Sequence, residues 1–531
     1  MVKSLLRRPS STPHSASTSN CSSRHSLRYD LLRAVGGERK CIAFPEQSSY
    51  RTSTVGCNLE ISVKPAAIAF PRKVQHIQDL VTTSAKHGLN VQARSGGHSY
   101  GNYGLGGMDG AIVIDLKYFQ YVSVDHSTWI ATVGAGARLE DVTKQLYANG
   151  QRAMAHGTCP SVGIGGHATI GGLGPTSRLW GATLDHIEEM TVVLADGRLV
   201  DASAKKNKDL FFALRGAASS LGIVVEFKFR TRPAPQEAVQ FSCSLSGSYS
   251  SMSGSLRDWQ AIVTDPSLNW KIFSQVIITT LGMNITGTYF GSEEDFKLEP
   301  FAQRFIYAKP KRPAPKRARS SGSLRRIFKH NGMLQSTRRE PTTRISVQVY
   351  KDNWLGLIRE WAGGRFLSKL LGRPSHFYHK SLTIQKSQQI EAGAIDRLLT
   401  YLDSAKKGTP MWFIIFDLAG GAVNEVPVDA TAFQHREATI YCQSYAISLG
   451  RVSDSSKEFI RTVNEIVESG IGSGKNNGIY PGYVDPELKS AQRQYWGGNL
   501  ERLEGIKMKY DPGDLFKNPQ SVTPAYAQSL S

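Results

Sequence analysis

Two potential nucleophiles, His98 and Cys159, lie in separate glycine-rich stretches, 61 residues apart. The first stretch, 91–107, reads VQARSGGHSYGNYGLGG. A loop with so few side chains brings backbone N–H groups close to a ligand. The planar guanidinium of Arg94 suits phosphate oxygens, and an imidazole at the centre of such a loop can act as a nucleophile. The pattern favours a phosphate-bearing ligand, with a tight glycine turn around a structural histidine as the competing interpretation.

The second stretch, 157–174, reads GTCPSVGIGGHATIGGLG and contains Cys159. The dinucleotide-binding fingerprint is G-x-G-x-x-G directly after a strand, with an acidic residue about 20 residues later. The glycines of this stretch do not match that pattern. It also has no G-K-[ST] sequence, so a P-loop is excluded. A lone cysteine is most often a small buried thiol, which is the alternative to a chemical role for Cys159.

The net charge of +20 is concentrated in two polar segments of the chain. Residues 1–40 carry a net +6 and residues 308–345 carry a net +11, which leaves the remainder close to neutral. No finger, basic zipper or RNA-recognition pattern accompanies the charge, so we expect no nucleic-acid partner. A separate hypothesis is that the two basic segments bind polyanions. It predicts that retention on heparin falls steeply with salt concentration.

Length and composition indicate a globular protein of two or three packed units. The chain has 531 residues, of which 40% are hydrophobic and 20% charged. None of its six cysteines forms a C-x-x-C pair, so we expect no metal site. No run of about 18 apolar residues occurs, so no membrane span is expected. The basic, Ser/Thr-rich N-terminus lacks the apolar region of a secretory signal, and the compartment stays open.

The elements that must position these loops follow from hydrophobic periodicity. The first half predicts short strands interleaved with helices and a meander, which is α+β and not a doubly wound repeat. The predicted strands are 61–70 (broken by a turn), 91–94, 111–116, 129–134, 189–194, 198–200 and 222–229, and the predicted helices are 74–87, 138–150 and 208–216. From about Pro233 the pattern indicates an antiparallel sheet with covering helices, with strands over 273–280, 345–350 and 411–418 and a helix over 389–406.

Four motifs together resemble the berberine-bridge-enzyme-like flavin oxidases of the vanillyl-alcohol-oxidase (PCMH-type) superfamily, in particular the fungal oligosaccharide oxidases. They are 94–100 (RSGGHSY), 157–167 with Cys159 and His167, 498–503 (GNLERL) and 518–521 (NPQS). The resemblance covers about residues 45–307 and 341–525. It implies an α+β fold with a two-part PCMH-type FAD-binding domain and an antiparallel-sheet substrate domain with covering helices. On this basis we divide the chain into a disordered or targeting tail (1–40), the FAD-binding domain (41–232), the substrate domain (233–475, with a basic disordered insert at 308–340) and a C-terminal segment that returns to the FAD-binding domain (476–531).

The family implies an FAD held by two covalent bonds, from His98 to the flavin 8α-methyl and from Cys159 to C6. Imidazole and thiolate are nucleophiles able to add to an electron-poor isoalloxazine. The resemblance also implies that Val162 controls oxygen access, where a small aliphatic residue favours an oxidase. The full set of implied FAD contacts is Arg94, Ser95, Gly96, Gly97, His98, Ser99, Gly157, Cys159, Val162, Gly163, Gly165, Gly166, His167, Gly171, Gly174, Ile223, Tyr483, Asn518 and Gln520.

The family's catalytic base is a tyrosine in a Tyr-x-Asn-Tyr-x-Asp motif, which here is 480–485 (YPGYVD). Tyr480 is the candidate base, with Tyr483 beside the flavin and glycine at the position of the motif's asparagine. Asp417 matches the family's acidic partner, which makes a phenol a usable base. The alternative is that the Asp417 carboxylate only caps a strand end. Tyr100 would form a wall of the substrate site and Gln443 would contact substrate. The family's sugar oxidases carry glutamine two residues before the acid, where this chain has Ile415, so the sugar-binding set is incomplete.

These implications predict an FAD-linked oxidase acting on a small hydroxyl-bearing substrate, an oligosaccharide or a secondary-metabolite alcohol. Hydride would pass to flavin N5, and O2 would accept the electrons to give H2O2. The departures at Gly482 and Ile415 leave open a catalytically impaired, flavin-binding family member. We expect a monomer.

Overall fold

A computed structural model describes residues 26–308, 343–359, 372–472 and 478–525. The predicted basic insert lies almost wholly outside these residues, as does most of the N-terminal tail. Within the described residues no helix is both long enough and apolar enough to cross a membrane. Helices of six or more described residues include 26–34, Ser48–Ser53, Val74–Lys86, Leu139–Ala148, Lys208–Ala217, Ser253–Val263, Glu293–Leu298, Pro300–Phe305, Trp354–Arg359, Ala392–Ser404, Asp454–Gly470, Ala491–Trp496 and Leu500–Tyr510.

The first sheet carries the histidine-bearing loop at the end of one of its strands. Its four strands lie in the order β1-β2-β4-β3, with β4 parallel to both β2 and β3. The loop 95–101 follows the end of β3, as the sequence predicts. The bounds are β1 Ile42–Ala43, β2 Ala67–Ala69, β3 Val91–Arg94 and β4 Ile112–Asp115. Only three residues of the predicted 61–70 region form a strand.

A second, antiparallel sheet lies next to the loop that carries Cys159. The next strands are β5 Val122–Val124, β6 Ile130–Gly134, β7 Arg152–Ala153, β8 Ile187–Val193, β9 Leu199–Ser203, β10 Ile223–Arg230 and β11 Arg232–Pro233. Five of them form a sheet in the order β5-β6-β10-β8-β9, and β7 pairs with β11. The segment 157–174 lies between β7 and β8, so both of its ends are anchored in regular structure.

The third sheet has seven strands in the order β15-β12-β14-β13-β17-β18-β16, all antiparallel. Their bounds are β12 Ala238–Ser246, β13 Ile272–Thr279, β14 Gly282–Tyr289, β15 Arg344–Asp352, β16 His376–Gln385, β17 Trp412–Leu418 and β18 Ala438–Ser448. The predicted strands at 273–280, 345–350 and 411–418 match β13, β15 and β17 within two residues at either end, and the helix predicted at 389–406 is Ala392–Ser404.

Alternation along β17 separates a core face from a site face. Trp412, Ile414 and Phe416 pack with the covering helices in one hydrophobic cluster. Ile415 belongs to a different cluster on the opposite face, and Asp417 is on that same face because side chains alternate with period two. The sheet therefore turns one face toward its helices and the other toward the glycine loops.

The C-terminal segment returns to the first half of the chain. Tyr495, Trp496 and Phe516 share a hydrophobic cluster with residues of the first two sheets. The amine of Lys507 is fully buried and donates to the carbonyls of Ser220 (2.8 Å) and Phe516 (3.1 Å) while pairing with the Asp511 carboxylate. This packing supports the proposed return of 476–531 to the FAD-binding domain.

A buried ion pair joins the sheet domain to the first half. Both Nη atoms of Arg436 donate to the Asp185 carboxylate at 2.8 Å. The Arg436 side chain is 1% exposed. A fork-shaped pair of this kind fixes orientation as well as distance, so it sets how the third sheet faces the glycine loops.

Candidate functional site

A cavity of about 460 Å3 lies where the two glycine loops, the site face of the third sheet and the C-terminal segment meet. This volume is within the range of small-molecule and cofactor sites, roughly 300–1,000 Å3. Most of the residues that the sequence assigns to the site line it. They are Arg94, Ser95, Gly96, Gly97, His98, Ser99, Tyr100, Gly157, Cys159, Val162, Gly163, Gly166, His167, Gly174, Asp417, Gln443, Tyr480, Tyr483, Asn518 and Gln520.

Three of the predicted cofactor contacts do not line the cavity. Ile223 is fully buried in β10. A Cβ on Gly165 would lie 2.5 Å from the Ala135 carbonyl oxygen, and a Cβ on Gly171 would lie 2.8 Å from the Tyr480 ring. These two glycines therefore allow close packing within the protein, and their types do not require a ligand.

The two glycine loops touch backbone to backbone. A Cβ on Gly96 would lie 2.2 Å from the Gly163 nitrogen, and a Cβ on Gly163 would lie 2.1 Å from the Gly96 nitrogen. The Ser95 hydroxyl donates to the Ala135 carbonyl at 2.6 Å and fixes the first loop against the second sheet. The two predicted nucleophiles are thus presented from a single rigid edge of the cavity.

Gly163→Ala should prevent folding or lower the free energy of unfolding by at least about 3 kcal/mol, because the new methyl would have to displace backbone. Gly166→Ala is the matched control, since a Cβ there meets no heavy atom within 4 Å. Thermal denaturation of the two variants measures the difference. Equal losses of stability would contradict the backbone contact.

Gly166 also tests whether the cavity holds a cofactor. It lines the cavity and its Cβ would point into open space, so Gly166→Ala should leave folding intact while lowering flavin content. Unchanged flavin content would place the cofactor away from this residue.

Arg94 lines the cavity, but its charge is already paired. Its Nε and Nη2 donate to the Asp115 carboxylate at 2.7 and 2.6 Å, across the parallel β3–β4 pair. Nη1 of Arg94 donates to the Ser53 carbonyl. The Arg94 cation is therefore engaged with a carboxylate within the protein, and backbone N–H groups are further candidates for contacting phosphate.

His98 lies at the cavity wall as a neutral imidazole. Burial, with the Arg138 cation as a second cause, lowers the pKa of His98 to about 4. A neutral ring keeps a lone pair on one nitrogen, as nucleophilic attack requires.

Cys159 stands on a loop that a histidine braces. The Gly157 N–H donates to His167 Nε2 at 2.9 Å, so the ring proton of His167 is on Nδ1. Burial lowers the pKa of His167 to about 3, so this acceptor persists at any physiological pH. His167 thus both lines the cavity and fixes the turn that leads to Cys159.

A chain of hydrogen bonds runs from the histidine-bearing loop to Asp417. Gln443 Nε2 donates to Asp417 Oδ2 at 2.6 Å, and the Tyr445 hydroxyl donates to Gln443 Oε1 at 2.6 Å. Because that bond uses the only hydroxyl proton of Tyr445, the Tyr100 hydroxyl, 3.1 Å away, must be the donor to Tyr445. Each bond of this chain is donated in the direction of Asp417, so the chain ends on an acceptor oxygen of that carboxylate.

The two tyrosines of the 480–485 motif occupy different environments. The Tyr480 hydroxyl accepts the Gly172 N–H at 3.0 Å, and the ring packs so closely on Gly482 that a Cβ there would lie 2.3 Å from it. Glycine in place of the motif's asparagine therefore makes room for the Tyr480 ring. Burial raises the pKa of Tyr480 to about 12, and the causes of that shift do not include Asp417.

Asp417 acts instead on Tyr483. Burial first, and the Asp417 carboxylate second, raise the pKa of Tyr483 well above its ordinary value. Tyr483 is only half-buried, whereas Tyr480 is 4% exposed. The Asp417 carboxylate therefore acts on the pKa of Tyr483 and not on that of Tyr480, the base that the sequence predicts.

Sequence reasoning missed Gln275, Tyr441 and Tyr445. Gln275, Asp417 and Tyr441 are direct neighbours across β13, β17 and β18. Tyr441 and Tyr445 stand two residues before and after Gln443, so strand alternation around Gln443 could have pointed to both. Gln275 had no comparable sequence signal, since its importance comes from pairing across strands that are 142 residues apart.

The residues present fit an FAD. Two nucleophiles stand at one wall, backbone N–H groups line a loop edge, and Tyr441 presents a buried hydroxyl that has no partner among the described residues. Among those same residues no cluster of three or more His, Cys, Asp or Glu side chains is arranged to hold a metal ion.

Sequence comparisons identify two family regions. Residues 65–203 match the family described as FAD binding domain, and residues 479–523 match the family described as berberine and berberine like. The FAD-linked oxidoreductase sorD of Penicillium rubens is 35% identical over 497 residues, which is 93% of this chain and 98% of that protein.

Solved structures agree with the sequence comparisons. The xylooligosaccharide oxidase from Myceliophthora thermophila C1, solved with xylobiose, is 30% identical with a TM-score of 0.79, covering 94% of this chain and 99% of that one. The glucooligosaccharide oxidase from Acremonium strictum, which carries a 6-S-cysteinyl, 8α-N1-histidyl FAD, is 30% identical with a TM-score of 0.78, over 94% of this chain and 99% of that one.

Proposed function

The chain belongs to the berberine-bridge-enzyme-like family of FAD-linked oxidoreductases, and on that premise we propose how its residues oxidise a hydroxyl-bearing substrate. The observation that carries the proposal is the meeting of His98, Cys159, Tyr483 and Asp417 around one cavity. The two nucleophiles come from the first half of the chain and the two acid–base groups from the second half. Their convergence is what a flavin oxidase needs.

His98 and Cys159 would hold the flavin ring covalently, through the same two residue types that link the FAD of the Acremonium strictum oxidase. FAD, when bound, supplies a ring that accepts a hydride from the substrate carbon and passes the electrons to O2, giving H2O2. Backbone N–H groups of the 95–99 loop would contact the phosphates, and Asn518 and Gln520 would close the site from the C-terminal side. Val162, which lines the cavity three residues after Cys159, would leave a path for O2.

Tyr483 and Asp417 would together remove the substrate's hydroxyl proton. Because the pKa of Tyr483 is raised, this side chain is a neutral phenol at physiological pH and not a preformed phenolate. It can accept a proton from the substrate only as it gives its own proton away, and the Asp417 carboxylate is the acidic group beside it. Loss of that proton places negative charge on the substrate oxygen, and this charge drives the hydride from the carbon and leaves a neutral carbonyl.

Tyr480 then has a supporting role in this proposal. Its hydroxyl fixes the backbone at Gly172, and its ring meets that of Tyr483 edge to face with centroids 5.0 Å apart. It would hold the Tyr483 ring in position.

The alternative of a catalytically impaired family member rested partly on the glycine at position 482, and the structure gives that glycine a packing role. That position differs from the family motif because the Tyr480 ring occupies the space. Ile415 changes the surface offered to substrate and leaves the acid–base groups in place.

A substrate panel tests the proposal directly. The purified protein should be yellow, and it should release H2O2 in equal amount to the carbonyl product formed from an active alcohol. A colourless protein with no turnover would overturn the proposal. A yellow protein that passes electrons only to an artificial dye would refute the oxidase assignment alone.

We also propose that Tyr445 positions Asp417 through Gln443. Tyr445→Phe should lower kcat by about tenfold, the equivalent of one lost hydrogen bond, with KM and flavin content unchanged, because the Gln443 amide loses the donor that fixes it. Tyr401→Phe, on the helix Ala392–Ser404, is a matched control that should have no effect.

A double-mutant cycle distinguishes this role from a general packing effect. In an Asp417→Asn background, Tyr445→Phe should cost little more, because the group that it positions is already gone. Losses in kcat that add fully in the double variant would show that Tyr445 does not act through Asp417.

A further inference from the structure

We propose that the substrate of this site is an alcohol carried on a flat, apolar body, such as an aromatic or conjugated alcohol, and not a di- or oligosaccharide. This inference rests on the proposed function and narrows its substrate class. The alcohol carbon loses a hydride and its oxygen loses a proton, giving the carbonyl compound. The two electrons and two protons reduce O2 to H2O2.

A row of polar side chains crosses the site face of the third sheet beside the cavity. Gln275, Asp417 and Tyr441 are paired residue to residue across three adjacent strands. Asp417 already accepts from Gln443, and Gln275 is not free of partners. The Tyr441 hydroxyl is buried without a partner among the described residues, so it is the group in this row that is available to a ligand.

The row beside it is apolar on two of its three strands. Ile277 pairs with Ile415 across β13 and β17, and both line the cavity. The third member of this row is Gln443, which pairs with Ile415. Both ends of the Gln443 amide are engaged, by Asp417 and by Tyr445, which leaves one N–H and one oxygen lone pair of this side chain for a ligand.

Behind Ile277 and Ile415 the apolar surface continues. These two residues pack in one hydrophobic cluster with Phe377 and Phe413, and Tyr100 packs against it. On the other side of the polar row, Phe273 also lines the cavity. Among the residues of the sheet that line the cavity, the polar row thus runs between side chains that are apolar apart from Gln443.

A sugar and an apolar alcohol place different demands on such a surface. A disaccharide has several hydroxyl groups over any face, and each one left without a partner in a dry site costs about 1–3 kcal/mol. An alcohol with one hydroxyl needs the polar row only at its reacting end, and its body gains from contact with Ile277 and Ile415. The arrangement of polar and apolar residues therefore fits the second class.

Binding without turnover is the most direct test. The Tyr483→Phe holoenzyme should bind substrates without oxidising them, so perturbation of the flavin absorbance reports a Kd. Cinnamyl alcohol should bind at least about 100-fold more tightly than cellobiose, xylobiose or chitobiose. Equal or tighter binding of a disaccharide would overturn the inference, and so would binding of none of these probes.

A pair of variants tests the named surface. Ile415→Gln should weaken cinnamyl alcohol binding by about tenfold, because a polar amide replaces apolar contact area. Ile415→Leu keeps the apolar volume and should change the Kd by less than about twofold. Equal effects of the two variants would show that the substrate does not contact this row.

Turnover by the unmodified holoenzyme separates this inference from the proposed function. Release of H2O2 from disaccharides but not from aromatic alcohols would overturn the substrate class and leave the oxidase function standing. A flavin-loaded protein that no alcohol or sugar of the panel reduces would overturn the function itself.

Discussion

Tyr483→Phe is expected to lower kcat/KM by about 1,000-fold while leaving the flavin in place. A positioned acid–base group typically contributes between about 100- and 10,000-fold to a rate, and in the proposed mechanism the phenol passes the substrate's proton to Asp417. The ring is kept, so packing around the cavity should not change. Anaerobic stopped-flow reduction of the flavin measures the step itself.

Tyr480→Phe is the matched control for that variant, since the two tyrosines share one turn. Its loss should be smaller than about tenfold, because the Tyr480 hydroxyl serves a backbone N–H and not the carboxylate. If Tyr480→Phe abolished reduction and Tyr483→Phe did not, the assignment of the base would have to return to Tyr480.

Replacing His98 and Cys159 is expected to have the second large effect, on retention of the flavin. After acid precipitation, the unmodified protein should keep all of its flavin in the pellet. His98→Ala and Cys159→Ser should each still retain it through the remaining bond, whereas the double variant should release all of it. Full release from either single variant would show that only one covalent bond forms.

The protonation state of His98 adds a pH dependence to this prediction. An ordinary histidine, with a pKa near 6.5, is mostly protonated and non-nucleophilic at pH 5.5. The pKa of His98 is lowered to about 4, so its ring is neutral above about pH 5 and loses nucleophilicity only as the pH falls through 4. In the Cys159→Ser variant, flavin attachment to the apoprotein should therefore proceed as fast at pH 5.5 as at pH 7.5.

Contrary behaviour would be informative about the environment of His98. A rate that fell about tenfold between pH 7.5 and pH 5.5 would match an ordinary histidine. It would mean that His98 is solvated during attachment and not buried as it is here.

The fold and most of the cavity wall could be predicted because their causes are local. Glycine-rich stretches predict the loops that bear His98 and Cys159, and the apolar run 411–418 predicts the strand that carries Asp417. Strand and helix positions followed from periodicity, which depends on neighbouring residues alone. The errors in extent, as at 61–70, arose where a proline and small residues leave periodicity weak.

The remaining features depend on contacts between distant segments. Pairing of Arg94 with Asp115 follows from the parallel register of β3 and β4, which no local pattern specifies. The choice between Tyr480 and Tyr483 depends on which ring faces Asp417, and the loss of asparagine at position 482 gave no hint that the Tyr480 ring fills its space. The resemblance assigns the backbone of Ile223 to the adenine side of the cofactor, and strand β10 buries its side chain in the core.

Anaerobic mixing of the purified holoenzyme with an aromatic alcohol tests the central claim most directly. We predict that the visible absorbance of the flavin bleaches completely, that admission of air restores it, and that H2O2 appears in equal amount to the carbonyl product. A flavin that stays oxidised in the presence of every alcohol and sugar tested would contradict the account.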